Sequence, residues 1–481
     1  MPDSLKHKTL KGTLWSALER FSVQAVSFIV MIIMANLLTP TDYGLVGMLT
    51  IFIAVSQSLV DSGFSQALIR KQTRTEIDNS TVFYFNIAIG LILYLILFFC
   101  APLIAQFYKE QLLIPITRVI SLSIIINSLV VVQRALLIAR IDFKTQAKAS
   151  LTAAIVSGIV GIYLAYSKIG VWSIVIYQLL NLGINCSFLW ILARWRPKLI
   201  FSWKVFKEMF NFGSKLALTG IINTIYNNIL IVIIGKLFKP ADLGYYTRAH
   251  QFADFPSATG TTILQKVTYP ILCTIQEDDD RLRIIYRKFL RLSAYVIFPV
   301  MFGMAALSEP FIKVFLNENW LYTAKLLPII CMSMMWYPIH AINLNLLQVK
   351  GKTTKILKLE ILKKIIGISI IASTMWLGLI ALCWGMVINS LLALIINTHY
   401  TGKYLGIGLA IQIKDLIPTL IYSVSMYFII LCISQLFKYA LAQLLLCSLI
   451  GIVYYIFISK ITSSKDFNEL TSLIKHKNEN T

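Results

Sequence analysis

Ile32–Leu45, IIMANLLTPTDYGL, returns 200 residues later as Val232–Tyr245, VIIGKLFKPADLGY. Ile33, Leu37, Pro40, Asp42 and Gly44 match Ile233, Leu237, Pro240, Asp242 and Gly244 without a gap. Each copy ends one long apolar run, turns and starts another. Proline ends the first helix, because its ring removes an amide donor and clashes one turn back. Aspartate accepts from the free amides that open the next helix. Pro, Asp and Gly are common in any loop, but the matched apolar runs on both sides of each copy make this an internal repeat.

The surrounding composition says where such helices live. The 481 residues are 57% hydrophobic and 14% charged, against about 25% charge in a typical soluble domain; the mean hydropathy is +0.74. Apolar runs of about 20 residues recur from end to end, the signature of a polytopic all-α membrane protein. Fourteen spans are predicted, at roughly 13–38, 44–69, 79–105, 112–139, 147–166, 170–193, 209–236, 243–270, 289–308, 321–349, 357–376, 378–398, 415–436 and 441–459. The first run is too long for a cleaved signal peptide and lacks its small-residue site.

A net charge of +22 in a soluble chain would point to nucleic acid. Here the cations fall in alternate loops, and no nucleic-acid motif accompanies them. With the N-terminus in the cytoplasm, 31 Lys and Arg occupy one set of loops. The other set holds six, Lys109, Lys168, Lys236, Lys239, Lys313 and Lys438. This is the positive-inside pattern and places both termini in the cytoplasm. The seven cysteines lie in or beside apolar runs without metal-ligand spacing, so they read as small core residues.

An even number of spans separates the two copies of the repeat, so they share one orientation, as parallel repeats do. The expected organisation is two pseudo-symmetric six-helix lobes plus two C-terminal helices. Residues 1–193 form the N-lobe and 209–398 the C-lobe; 399–481 hold the last two helices and a cytoplasmic tail. The basic segment 194–208 joins the lobes, and its Trp195, Trp203 and spaced Lys predict an amphipathic helix on the cytoplasmic surface.

Polar side chains are costly in lipid and so face a bundle interior or a wet cavity. They recur at helical spacing in four spans. Span one has Ser16, Arg20, Gln24 and Ser27, and span two has Gln57 and Asp61. Span seven has Lys215, Thr219, Asn223 and Asn227; span eight has Gln251, Asp254, Thr261 and Gln265. Steps of three or four keep them on one face, and these spans are the equivalent pairs of the two lobes, as a central aqueous cavity requires. At 1.5 Å per residue, Arg20 lies roughly 30 Å from the outer end of its helix. Asp61 and Lys215 lie near the cytoplasmic side, Asn223, Asn227 and Asp254 near the middle, and Arg248 near the outer end. Blander readings compete: Lys215 and Arg134 snorkel to the interface, Arg20 pairs with Glu19, the Asn stripe bonds between helices, and His340 is a satisfied core histidine. Pro299, Pro328 and Pro338 read as packing kinks. No phosphate-cradling loop, metal cluster or catalytic set appears in the sequence, so an ATP-driven pump is not expected.

The opening Gly12–Leu45, GTLWSALERFSVQAVSFIVMIIMANLLTPTDYGL, followed by Leu59–Lys71, LVDSGFSQALIRK, resembles the bacterial polysaccharide flippases. These are the O-antigen, capsule and teichuronic-acid exporters of the multidrug/oligosaccharidyl-lipid/polysaccharide superfamily. The resemblance implies alternating access and a bacterial inner-membrane location. It implies a substrate of undecaprenyl-diphosphate-linked oligosaccharide units, moved from the cytoplasmic to the periplasmic leaflet for lipopolysaccharide or capsule assembly. Arg20, Gln24, Gln57, Asp61, Lys215, Asn223, Asn227 and Arg248 then become the substrate-binding candidates, since cations hold a diphosphate and amides hold sugar hydroxyls. Asp254 becomes the candidate for coupling to a proton or sodium ion. No cofactor is expected; membrane lipids, a polysaccharide polymerase and glycosyltransferases are the expected partners. A cation-coupled multidrug antiporter and a lipid II flippase of the same superfamily are the alternatives.

Overall fold

The computed structural model describes residues 21–61, 63–71, 73–469 and 471. Among these every regular element is a helix. The chain divides into two compact units, Met1–Gly244 and Tyr245–Thr481. The first holds α1 (Phe21–Leu37), α2 (Pro40–Asp61), α3 (Phe64–Arg70), α4 (Glu76–Tyr108), α5 (Leu113–Ile120), α6 (Leu122–Ser128), α7 (Val131–Ala139), α8 (Phe143–Tyr166), α9 (Val171–Leu192) and α10 (Trp203–Leu237). Helix α11 (Pro240–Thr274) begins in the first unit and runs into the second. There follow α12 (Asp279–Ala306), α13 (Ser308–Phe315), α14 (Leu321–Met334), α15 (Tyr337–Val349), α16 (Thr353–Thr374), α17 (Leu379–Leu405), α18 (Leu409–Ser434) and α19 (Ala440–Ile461).

Eleven helical stretches of the described residues are long and apolar enough to cross a membrane. The other three expected spans also fall on helices. Helix α1 is described only from Phe21, α11 is too polar along its length, and α16 carries Lys358, Glu360, Lys363 and Lys364.

Three expected spans are broken. Span two stops at Asp61 and restarts at Phe64, with Gly63 in the left-handed region at φ 69°. Span four is three short helices, and span ten breaks between Met334 and Tyr337. The last break has a local cause. Pro338 has no amide to give the carbonyl of Met334 one turn earlier, and Ser257 Oγ of α11 donates to that carbonyl at 2.8 Å. Pro299 in α12 likewise frees the carbonyl of Tyr295, which accepts from Tyr455 Oη of α19 at 2.9 Å. Both prolines are packing features whose orphaned acceptors are filled from a neighbouring helix, as buried carbonyls require.

Packing follows membrane rules. The buried face of α8 is Ala149, Ala153, Ala154, Ser157, Gly158, Gly161 and Ala165, small residues that let backbones approach. Val30 of α1 and Tyr177 of α9 sit against Gly158 and Gly161, and Asn181 Nδ2 donates to Ser157 Oγ at 3.0 Å. In the second unit Tyr286, Asn343, Thr401 and Gln412 form a buried hydrogen-bonded group linking α12, α15, α17 and α18.

The joining segment corrects the expectation of a helix over Arg194–Lys207. Residues 194–202 are not helical, and α10 starts at Trp203. Arg194 has φ 54°, and Pro197 gives no amide. The amides of Lys198 and Ser202 donate to Ser80 Oγ and Thr81 Oγ1 of α4 at 3.0 and 3.1 Å. The backbone donors a helix would use are bonded to another helix instead.

Candidate functional site

The repeated turn is built the same way twice. In the first copy Asp42 Oδ2 accepts from Thr39 N at 2.9 Å and from Thr39 Oγ1 at 2.7 Å. Thr39 Oγ1 in turn accepts from Asp42 N at 3.3 Å, a reciprocal capping box. In the second copy Asp242 Oδ2 accepts from Lys239 N at 3.2 Å; lysine has no hydroxyl to complete the box. The two turns also touch each other. A Cβ on Gly44 would lie 1.7 Å from the Pro240 carbonyl oxygen, and one on Gly244 would lie 2.0 Å from that of Pro40. The contact is reciprocal, the pattern of an isologous interface, and only glycine fits it.

The second motif, Asp61 to Arg70, closes the other end of α2. Gly63 packs so tightly on Gly213 of α10 that a Cβ would meet its carbonyl oxygen at 2.7 Å. Phe64, buried, stacks among Phe85, Phe206 and Phe210. Asp61 Oδ1 accepts from Asn127 Nδ2 of α6 at 3.5 Å, with Arg134 of α7 in electrostatic reach. Sequence reasoning missed Asn127; it weighed Arg134 only as a snorkelling residue.

Of the expected site residues, Arg20 lies outside the described residues. Gln24 on α1, Asp61 at the end of α2, and Lys215, Asn223 and Asn227 on α10 are exposed; Gln57 is half-buried. Lys215, Thr219, Asn223 and Asn227 stand four apart on one face, and Thr219 donates to the Lys215 carbonyl. The first unit therefore exposes amides, a carboxylate and an ammonium from otherwise apolar helices.

The second unit holds Arg248 and Asp254 on α11. Arg248 is 8% exposed, and its guanidinium donates to Gln251 Oε1 at 2.6 Å. Asp254 is half-buried, with His250 one turn earlier in electrostatic reach. His250 stands four residues before Asp254, a spacing that helical periodicity makes readable in the sequence. His340 is a satisfied core histidine: Nδ1 accepts from Asn397 Nδ2 at 3.4 Å, so Nε2 is the protonated nitrogen that faces Ser390 Oγ at 3.2 Å. Both ring nitrogens are used by the neutral form. The seven cysteines are free thiols, four of them buried. Among the described residues no group of three or more His, Cys, Asp or Glu could hold a metal ion.

Residues 33–325 match the model of the family described as polysaccharide biosynthesis protein, which is more than half of the chain. The chain belongs to that family. Among relatives, it is 26% identical to an uncharacterized membrane protein in the cps region of Klebsiella pneumoniae, covering 98% of this chain and 99% of that protein. It is 23% identical to the teichuronic acid biosynthesis protein TuaB of Bacillus subtilis (strain 168), covering 88% of each. Among solved structures, the lipid II flippase MurJ in an inward closed conformation superposes with a TM-score of 0.76 at 18% identity, covering 93% of this chain and 98% of that one. That likeness is one of fold, and it upholds the polytopic all-α class read from the recurring apolar runs.

Proposed function

We propose that this family member is a transporter that flips undecaprenyl-diphosphate-linked oligosaccharide units from the cytoplasmic to the periplasmic leaflet of the bacterial inner membrane. The two six-helix lobes joined through residues 194–208, with both termini cytoplasmic, are part of the proposal. The observation that carries it is the polar face of α10: Lys215, Asn223 and Asn227 are exposed at helical spacing on a helix rich in Ile and Leu. Such a face suits a hydrated path. An ammonium suits a diphosphate and amides suit sugars, and Arg20 and Arg248 are the further cations proposed for the diphosphate. No bond in the substrate changes, so no catalytic group is required. In the test, Arg20→Ala, Arg248→Ala and Lys215→Ala are each expressed in a strain lacking the chromosomal copy. Each is expected to lower surface glycan at normal protein level and to leave lipid-linked units inside. Normal export by all three would refute the anion-binding role. Rescue of a strain depleted of its lipid II flippase, without rescue of surface glycan, would favour peptidoglycan precursor as the cargo.

A further inference from the structure

We infer that the joining segment is a binding site for the headgroup of an anionic phospholipid. The inference does not depend on what the chain transports. The segment is fixed from inside. Trp195 is buried and its Nε1 donates to Glu76 Oε2 at 3.0 Å, and the amides of Lys198 and Ser202 are held by α4. Arg196 donates to the carbonyls of Trp190 and Trp195 and lies 5.3 Å above the Trp190 ring. A segment so pinned has no freedom to fold its apolar side chains away.

Its outer side nevertheless carries large apolar groups. Leu199 is 94% exposed and Trp203 67% exposed, with Ile200 and Phe201 also exposed. In water these would be an unrelieved cost. Exposed cations surround them: Arg194, Lys198, Lys204 and Lys207. Two carboxylates stand beside them, Glu208 next to Lys207 and Glu76 bonded to Trp195. Apolar prongs among cations are the composition of an element that inserts at the headgroup level of a membrane. Four exposed cations against the two carboxylates of Glu76 and Glu208 leave the segment net positive, which favours a negatively charged headgroup over a zwitterionic one, since each cation near an anionic surface adds to binding. Rigidity sharpens the selection, because the backbone that carries Lys198 is held on α4 and is not a loose arm.

The test uses the purified full-length chain with an equal mixture of phosphatidylglycerol and phosphatidylcholine, read by native mass spectrometry. The parent is expected to retain phosphatidylglycerol preferentially. Lys198→Gln/Lys204→Gln/Lys207→Gln is expected to lower that preference by at least about tenfold, as the loss of three surface cations requires. Lys358→Gln/Lys403→Gln/Lys414→Gln removes the same charge elsewhere and is expected to leave it unchanged. No preference in the parent, or an equal fall in both triple variants, would overturn the site. A second measurement is independent of the lysines. Leu199→Cys carrying an environment-sensitive fluorophore, with the native cysteines replaced, is reconstituted into vesicles of the same lipids. Emission typical of the membrane interface is expected; emission typical of water would overturn the inference.

Discussion

Gly44→Ala tests the reading of the repeated turn directly. Two effects oppose each other. Alanine in place of a helical glycine gains about 1 kcal/mol in intrinsic propensity. Against this, the new Cβ would start 1.7 Å from the Pro240 carbonyl oxygen, where real Cβ atoms do not come within 3.0 Å. The obstacle is backbone and cannot rotate away, so the two turns must separate by more than 1 Å. Overpacking of this kind costs typically about 1–3 kcal/mol and sometimes more, so the clash wins. Gly183→Ala in α9 is the control, since nothing lies within 4 Å of a Cβ there; it should be neutral or stabilising. The assay is thermal unfolding of the purified chain in detergent, where each kcal/mol shifts Tm by about 2–4 °C in a domain of comparable size. Gly244→Ala should behave like Gly44→Ala, because its Cβ would lie 2.0 Å from the Pro40 carbonyl. The two together should cost clearly less than the sum, since the first separation makes room for the second. A Gly44→Ala chain that melts with Gly183→Ala, or strict additivity of the pair, would refute the reasoning.

Three further outcomes are expected. Asp254→Asn should blunt the response of reconstituted transport to an imposed proton or sodium gradient while substrate binding persists; an unchanged response to both gradients would leave Asp254 a structural residue. Tyr455→Phe should lower stability by about 1–3 kcal/mol, the cost of a buried acceptor left alone, because Pro299 cannot replace the donor to the Tyr295 carbonyl; an unchanged Tm would contradict this. Thiol labelling from the periplasm should reach cysteines placed at Asp42, Lys239 and Lys313 but not at Lys198 or Lys352, and labelling at Lys198 would invert the assigned topology.

What the sequence made legible was local and periodic. Pro40, Asp42 and Gly44 fix a turn by their own chemistry, so their return at Pro240, Asp242 and Gly244 marked the repeat without any structure. The stripe of Lys215, Asn223 and Asn227 was readable because helical spacing puts it on one face. What stayed hidden depends on partners far along the chain. Ser257 meets the Met334 carbonyl, Tyr455 meets that of Tyr295, and Asn127 meets Asp61, and no window of sequence contains both members of any pair. The joining segment failed for the same reason. Its tryptophans and lysines fit a helix, but Ser80 and Thr81 on α4 bond its amides first.

The repeat and the compact units place their boundaries differently, and the glycines of α10 explain why. The repeat assigns α10 to the second copy, since it carries Val232–Leu237; the contacts assign it to Met1–Gly244. Along its length α10 lies against α2 at points where a side chain is missing: Gly213 beside Gly63, Gly220 beside Ser58 Oγ, and Gly235 beside Met48. Small residues at a crossing bring two backbones close and let dispersion act over a long contact. A helix packed in this way joins the unit it touches, whichever repeat encoded it. The repeat therefore records how the chain is composed, and the compact unit records which helices the glycines have brought together. Lys215, Asn223 and Asn227 show the consequence. They ride on a helix that packs with α2, and so stand in the same compact unit as Gln57 and Asp61.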